Sequence, residues 1–127
     1  MNNTLGLIGL AKRAGKIAIG EEPCAIAVRD KKARAIFTAS DASDRAKAWA
    51  ESTGVPYISL SSTKAELGHL LGRASCAQFV LLDIGMAASI AGKLAQQDPA
   101  YNAICETLLQ QASRAAKRKE KKRSRKG

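Results

Sequence analysis

No apolar run in this sequence approaches the roughly 18 residues that a bilayer-spanning helix needs, so no transmembrane helix is expected. In the opening segment MNNTLGLIGLAKR the basic residues follow the apolar ones, the reverse of a secretory signal, and a cytoplasmic protein is expected. Cysteine is scarce and scattered: Cys24, Cys76 and Cys105 show no paired spacing. An odd count argues against a disulfide framework, and a single histidine, His69, cannot complete a metal site with them. Free cysteines of this kind behave as small buried fillers. Cys76 has no base near it in sequence to activate it as a nucleophile. Aromatic residues are also few, at 4%.

What is present is an ordinary hydrophobic fraction of 46% in 127 residues, enough for one domain with one core. The net charge of +10 is unevenly spread. Residues 114–127 hold nine cations, Arg114, Lys117, Arg118, Lys119, Lys121, Lys122, Arg123, Arg125 and Lys126, against the one acid Glu120. Residues 1–113 carry twelve basic and ten acidic side chains and are nearly neutral. The charge run is expected to be solvated and disordered alone, and to find polyanions. It lacks a lipid chain or a large aromatic anchor, so no membrane partner is expected.

Along the chain, Asn2–Thr4 can cap a first helix with Leu7, Leu10, Ala11 and Ala14 at helical spacing. Lys12, Arg13 and Lys16 cluster where it hands over to a short strand at 16–19. Gly20 then frees the backbone to turn, and Pro23 suits the first turn of a helix over about 23–32. That helix buries Cys24, Ala27 and Val28. Its start projects unpaired N–H groups where a phosphate can dock; equally, Glu21 and Glu22 suit the helix dipole there. A strand at 34–39 precedes the loop SDASD, in which Asp41, Ser43 or Asp44 can cap a third helix. That helix turns Ala46, Trp49 and Ala50 inward and stops at Gly54. Residues 55–60 read as a strand, and Thr63-Lys64-Ala65-Glu66 has capping-box spacing. The helix it opens has an inner face of Leu67, Leu70 and Leu71 and ends at Gly72. Residues 77–82 form a continuous apolar strand expected to be buried on both faces, followed by a helix over about 86–94. Asp98-Pro99 starts a last helix with the stripe Tyr101, Ile104, Cys105, Leu108, Ala112 and Ala115. The alternation predicts a three-layer α/β/α sandwich around a four-stranded mixed sheet. Its divisions are a domain at 1–97, an amphipathic extension at 98–113 and the basic tail at 114–127.

The segments LAKRAGKIAIG and VPYISL–SSTKAELGHLLGR resemble the ribosomal-protein superfamily of kink-turn RNA binders, the L-seven-Ae and L-thirty-e group, with its bacterial YlxQ-like branch closest. The paired motifs are G-K-x-x-x-G at 15–20 and K-x-E-L-G-x-x-x-G at 64–72, and the similarity covers about residues 4–94. The resemblance implies an RNA-binding sandwich without catalysis or cofactor. Its RNA face would join Gly20, Glu21 and Glu22 to the loop Arg73-Ala74-Ser75-Cys76. Kink-turn specialists carry Gly-Thr-Asn-Glu at the helix start with a lysine three residues further on. Here Gly20 matches, while Glu21, Glu22, Pro23 and Ile26 replace the other four. The fold transfers; the kink-turn specificity does not.

The candidate RNA-binding residues are therefore Lys12, Arg13, Lys16, Gly20, Glu21, Glu22, Arg73, Ala74 and Ser75, with the cations of residues 114–127 as a non-specific nucleic-acid tail. Lys12, Arg13 and Lys16 have the alternative of being solvated helix ends. Lys64 and Glu66 read as a helix-start pair, and His69 as structural or exposed. Asp83 stands at a strand end, where open sheets hold active sites, but has no partner acid, histidine or metal cluster. No enzyme, metal or small-molecule substrate is expected. The partner is structured or ribosomal RNA, with the ribosome or RNA-associated proteins as further candidates. The alternatives are a protein-interaction adaptor of the same fold, in which only the tail meets nucleic acid, and a recognition fragment serving an RNA-modifying partner chain.

Overall fold

The computed structural model describes residues 3–126. The elements alternate as the hydrophobic pattern dictates: α1 Asn3–Arg13, β1 Ile17–Ile19, α2 Glu21–Arg29, β2 Ala35–Thr38, α3 Asp44–Ser52, β3 Tyr57–Ser59, α4 Lys64–Leu71, β4 Gln78–Leu81 and α5 Ile84–Gln97. A 3-10 turn at Pro99–Tyr101 leads into α6, Asn102–Lys126. The strands form one sheet in the order β1-β4-β2-β3, antiparallel on both sides of β4 and parallel between β2 and β3. This is the mixed four-stranded sheet that the sequence predicts.

Both faces of the sheet are covered. Phe37, Phe79, Leu81 and Ile58 face Ile8, Leu67, Leu71, Ile90 and Leu108 on one side. Ile36 and Val80 meet Cys24, Ala27 and Ala50 on the other. The alternation along each strand thus sends successive side chains to opposite helical layers. Phe37 and Phe79 are cross-strand partners whose rings stack at 4.9 Å. All four residues of β4 are buried, as its apolar run requires.

The caps follow the sequence closely. Ser43 accepts from the Ala46 amide, which settles the choice left open among Asp41, Ser43 and Asp44. Thr63 and Glu66 form the reciprocal capping box, and Gly72 ends α4 in the left-handed region at φ 72°. Asp83 accepts from the Met86 amide and so starts α5. Asp98 does the same for Ala100 at the 3-10 turn.

Three expectations are corrected. In α1, Thr4, Ile8 and Ala11 turn inward, whereas Leu10 is 45% exposed and Ala14 is also exposed. Stripes that share Ala11 are one helical step apart, and packing against α5 and against α4, where Leu70 approaches Gly9, selects the other one. The expected cap at Asn2–Thr4 falls partly outside the described residues, and Asn3 and Thr4 already belong to the helix. Second, α2 starts at Glu21 because Gly20 (φ 101°) itself takes the N-cap position, and ends at Arg29 because Lys31 turns to φ 59°.

Third, the basic run continues α6 to Lys126 instead of leaving it as a disordered tail, and no break marks residue 113. Alanine, lysine and arginine are strong helix formers. Packing of the first turns supplies the costly nucleus, and cations at a helix C-terminus complement its dipole. The inward stripe of α6 is Tyr101, Ile104, Cys105, Leu108, Ala112 and Ala115, as its periodicity predicts, and it packs on α5. The Tyr101 hydroxyl donates to the Ser59 carbonyl at the end of β3. From there α6 crosses to the beginnings of β2 and β3, where Arg114 and Arg118 lie beside Arg34 and Pro56.

Truncating the stacked ring tests this core: Phe79→Ala is expected to cost about 3–5 kcal/mol. In urea unfolding the midpoint should fall with the slope unchanged.

Candidate nucleic-acid interface

The register gathers four loops at one edge of the sheet. Ile19 pairs with Phe79, Thr38 with Gln78, and Thr38 with Ser59. The ends of β1, β2 and β3 and the beginning of β4 are therefore neighbours. The Gly20 amide donates to the Gln78 carbonyl at 3.2 Å, which fixes the start of α2 against the loop that enters β4. Gly20 has no side chain to cap α2, and Pro23 has no N–H to donate, so the amides of Glu21 and Glu22 form the polar rim of this helix start. Both glutamates are exposed. Glu21 meets Arg45 at 3.8 Å, with both side chains more than four-fifths exposed, a pair that contributes little.

The second loop is held by a close backbone approach. A Cβ on Gly68 would stand 2.6 Å from the Ser75 Cα and 2.8 Å from the Arg73 carbonyl oxygen. Only glycine fits there without the loop shifting. The Arg73 amide donates to the Gly68 carbonyl at 2.7 Å, and the Cys76 amide to the Lys64 carbonyl at 3.0 Å. Residues 73–75 are thus pinned at both ends, with Arg73, Ala74 and Ser75 exposed. The loop that carries Arg73–Ser75, some fifty residues from Gly20 in sequence, thus runs along α4 and enters β4 at Gln78, whose carbonyl holds the Gly20 amide.

The remaining candidates separate. The Lys12 ammonium donates to the Leu71 carbonyl at 2.5 Å, across the C-terminal end of α4. It helps hold the turn at Gly72 that leads to Arg73. Arg13 is exposed along α1. Lys16 lies at the opposite end of β1, about 13 Å from Gly20 at the rise of a strand. Its carbonyl accepts from Leu82 at the far edge. The three cations that cluster in sequence therefore serve different places.

Sequence reasoning missed several neighbours. Arg45, Trp49 and Gln78 join Glu21 and Ser43 around a cavity of about 240 Å³ between α2 and α3. The Lys47 ammonium donates to the Ser40 carbonyl on this edge. Asp41 accepts from the Lys64 amide at 2.8 Å, so it caps α4 from 23 residues upstream. Helical spacing marks Trp49 as inward, but nothing local announces these long-range partners.

Beneath the helix start, Cys24 is fully buried, and burial, reinforced by nearby Cys76, pushes its thiol up to about 12. Its S–H points to the Ala18 carbonyl at 3.5 Å. Cys76 is likewise buried and raised above its ordinary value, chiefly by burial, with its S–H on the Gln78 carbonyl. Both are packing residues whose reactive thiolate is disfavoured. Cys105 is buried and free as well. Among the described residues no three His, Cys, Asp or Glu side chains come together as a metal site.

The chain matches the model of the ribosomal protein L7Ae/L30e/S12e/Gadd45 family over residues 2–90. It is 38% identical over 73 residues to a protein of Enterococcus faecium described as RNA-binding protein YlxQ, a match that covers 54% of this chain and 70% of that protein. A solved structure of a protein of unknown function from Bacillus halodurans C is similar with a TM-score of 0.67 at 25% identity. That likeness covers 73% of this chain and 97% of the other.

Two measurements test the local physics. Gly68→Ala is expected to destabilise by about 1–3 kcal/mol through the forced loop shift. Gly6→Ala, which meets nothing within 4 Å, should gain about 0.5–1 kcal/mol in the same unfolding assay. For Cys24 the folded state holds the proton more tightly than the unfolded one, so its contribution to stability is complete below about pH 9. It is lost as pH rises from there toward about 12. Wild type should therefore lose more stability between pH 9 and 11 than Cys24→Ala does.

Proposed function

The chain belongs to the ribosomal protein L7Ae/L30e/S12e/Gadd45 family, in its YlxQ-like branch, and on that premise we propose that it binds structured RNA without catalysis. What supports this reading is that the loop of Arg73–Ser75 leads into β4 at Gln78, whose carbonyl holds the Gly20 amide, with each segment fixed by backbone hydrogen bonds. A rigid, solvent-facing rim of amides, one guanidinium and two carboxylates suits RNA in which bases are splayed out. Arg73 takes a phosphate, the amides take phosphate or carbonyl oxygens, and Glu21 and Glu22 accept from base amines. The carboxylates also repel phosphate, so the bound RNA presents base edges there and its backbone to Arg73. Translation is the setting this reading favours, with ribosomal RNA the leading candidate and the cytoplasm its place of action.

In this division of labour the domain at residues 1–97 reads shape. The extension at 98–113 secures α6 to the core, and the cations beyond it add affinity without sequence preference. The exposed glutamates at the helix start favour the adaptor reading as second choice, since they would equally face a basic protein partner.

The test is binding of the full chain to a kink-turn RNA, its unkinked control and a ribosomal RNA fragment at two salt concentrations. Preference for one structured RNA is expected, and Arg73→Ala should weaken it about tenfold, the loss of one charge-assisted hydrogen bond. Replacing Lys119, Lys121 and Lys122 by Gln should flatten the salt dependence by about 2 on a single strand while leaving the preference intact. Equal, weak binding to all three RNAs would transfer support to the adaptor.

A further inference from the structure

At the sheet edge opposite Gly20 and Arg73, the beginnings of β2 and β3 and the middle of α6 enclose a cleft of about 450 Å³. Arg34, Arg114 and Arg118 rim it, and Val55, Pro56 and Ile84 give it an apolar wall. All three arginines are exposed, and none has a described carboxylate within 4.0 Å. The nearest acidic residue in sequence to that wall, Asp83, is committed to the Met86 amide. Lys16 stands on this same edge, since its carbonyl receives the Leu82 amide next to the Leu81 carbonyl that receives Arg34.

We propose that this cleft is a second RNA site, in which Arg34, Arg114 and Arg118 grip the phosphodiester backbone of a segment other than the one read at the Gly20 edge. The inference rests on the RNA-binding reading and extends it. Converging guanidinium forks match phosphate oxygens bidentately, and the apolar wall accepts a ribose or a base face. The charge does not stop at the rim: Lys117, Lys119, Lys121 and Lys122 continue along the exposed part of α6. A ligand with one anion would leave that helix unused, whereas a chain of regularly spaced phosphates engages both. The matched family segment ends at residue 90, before α6 begins, so the cleft joins Arg34 and the apolar wall of that segment to Arg114 and Arg118 of the extension that follows it.

Arg34 makes the proposal testable, because it lies outside the basic run yet belongs to the cleft. The experiment measures the affinity of the full chain for fluorescent dodecauridylate and for the preferred structured RNA. The variants are Arg34→Gln, Arg34→Lys, Arg118→Gln, Lys121→Gln and Arg73→Ala. Arg34→Gln and Arg118→Gln should each weaken dodecauridylate binding about tenfold. Arg34→Lys should recover part of the loss, Lys121→Gln should cost about twofold or less, and Arg73→Ala should weaken this ligand less than Arg34→Gln does. If Arg34→Gln is silent while Arg118→Gln and Lys121→Gln cost the same, α6 is a featureless polycation and the cleft is not a site. Equal affinity for a poly-glutamate peptide also overturns the assignment. Neither result touches the Arg73-dependent binding of structured RNA, whereas absence of binding to every RNA removes both readings.

Discussion

Phe79 pairs with Ile19 on one side and with Phe37 on the other, and its ring stacks on that of Phe37. This places β4 between β1 and β2 with both hydrogen-bonding edges occupied and all of its side chains buried. Every loop position follows from that pairing. Because β4 runs against both neighbours, its beginning meets their ends, and the segment entering it must lie beside Gly20. An edge strand could slip by a residue; a strand paired on both sides and packed on both faces cannot do so without turning its core residues outward. The candidate interface thus inherits its geometry from the least exposed part of the molecule.

On that frame, a few short contacts decide what each loop does. Gly68 allows the backbone of residues 73–75 to lie against α4, and Lys12 closes the end of the same helix. A cation that sequence counting assigns to nucleic acid is engaged with a carbonyl oxygen, while Arg73 beside it stays open to solvent. Net charge alone therefore ranks these residues poorly. Their accessible partners rank them better: Lys12 already has one, and Arg73 lies on a rim with no described carboxylate within 4.0 Å of it.

Much of this was legible in the sequence. The capping box at Thr63–Glu66, the stop at Gly72, the doubly buried strand at 77–82 and the inward stripe of the last helix are local or periodic signals, and the structure carries all of them. The motifs that mark the two halves of the candidate interface sit fifty residues apart, and only the strand register relates them in space. What was not legible depends on tertiary choices. The phase of α1 is decided by its packing on α5 and α4, the capping role of Asp41 is exercised on a distant helix, and Lys16 is separated from Gly20 by the length of β1. The helicity of the basic run escaped for another reason: charge density suggested disorder, while backbone propensity and an anchored first half favoured continued winding.

The uninterrupted winding of α6 has a mechanical consequence. Twenty-five residues at about 1.5 Å each make a rod of about 37 Å, clamped to the domain through Tyr101, Cys105 and Leu108, still beside Arg34 and Pro56 at Arg118, and exposed at residues 119–122. Cations on such a rod keep a fixed pitch and bearing relative to the sheet. A polyanion that settles along it does not need to freeze a floppy chain, and in doing so it sets the heading of the whole domain. Because the rod leaves from the edge opposite Gly20, a protein moored by its helix holds the Gly20 edge outward, like a vane on a spindle.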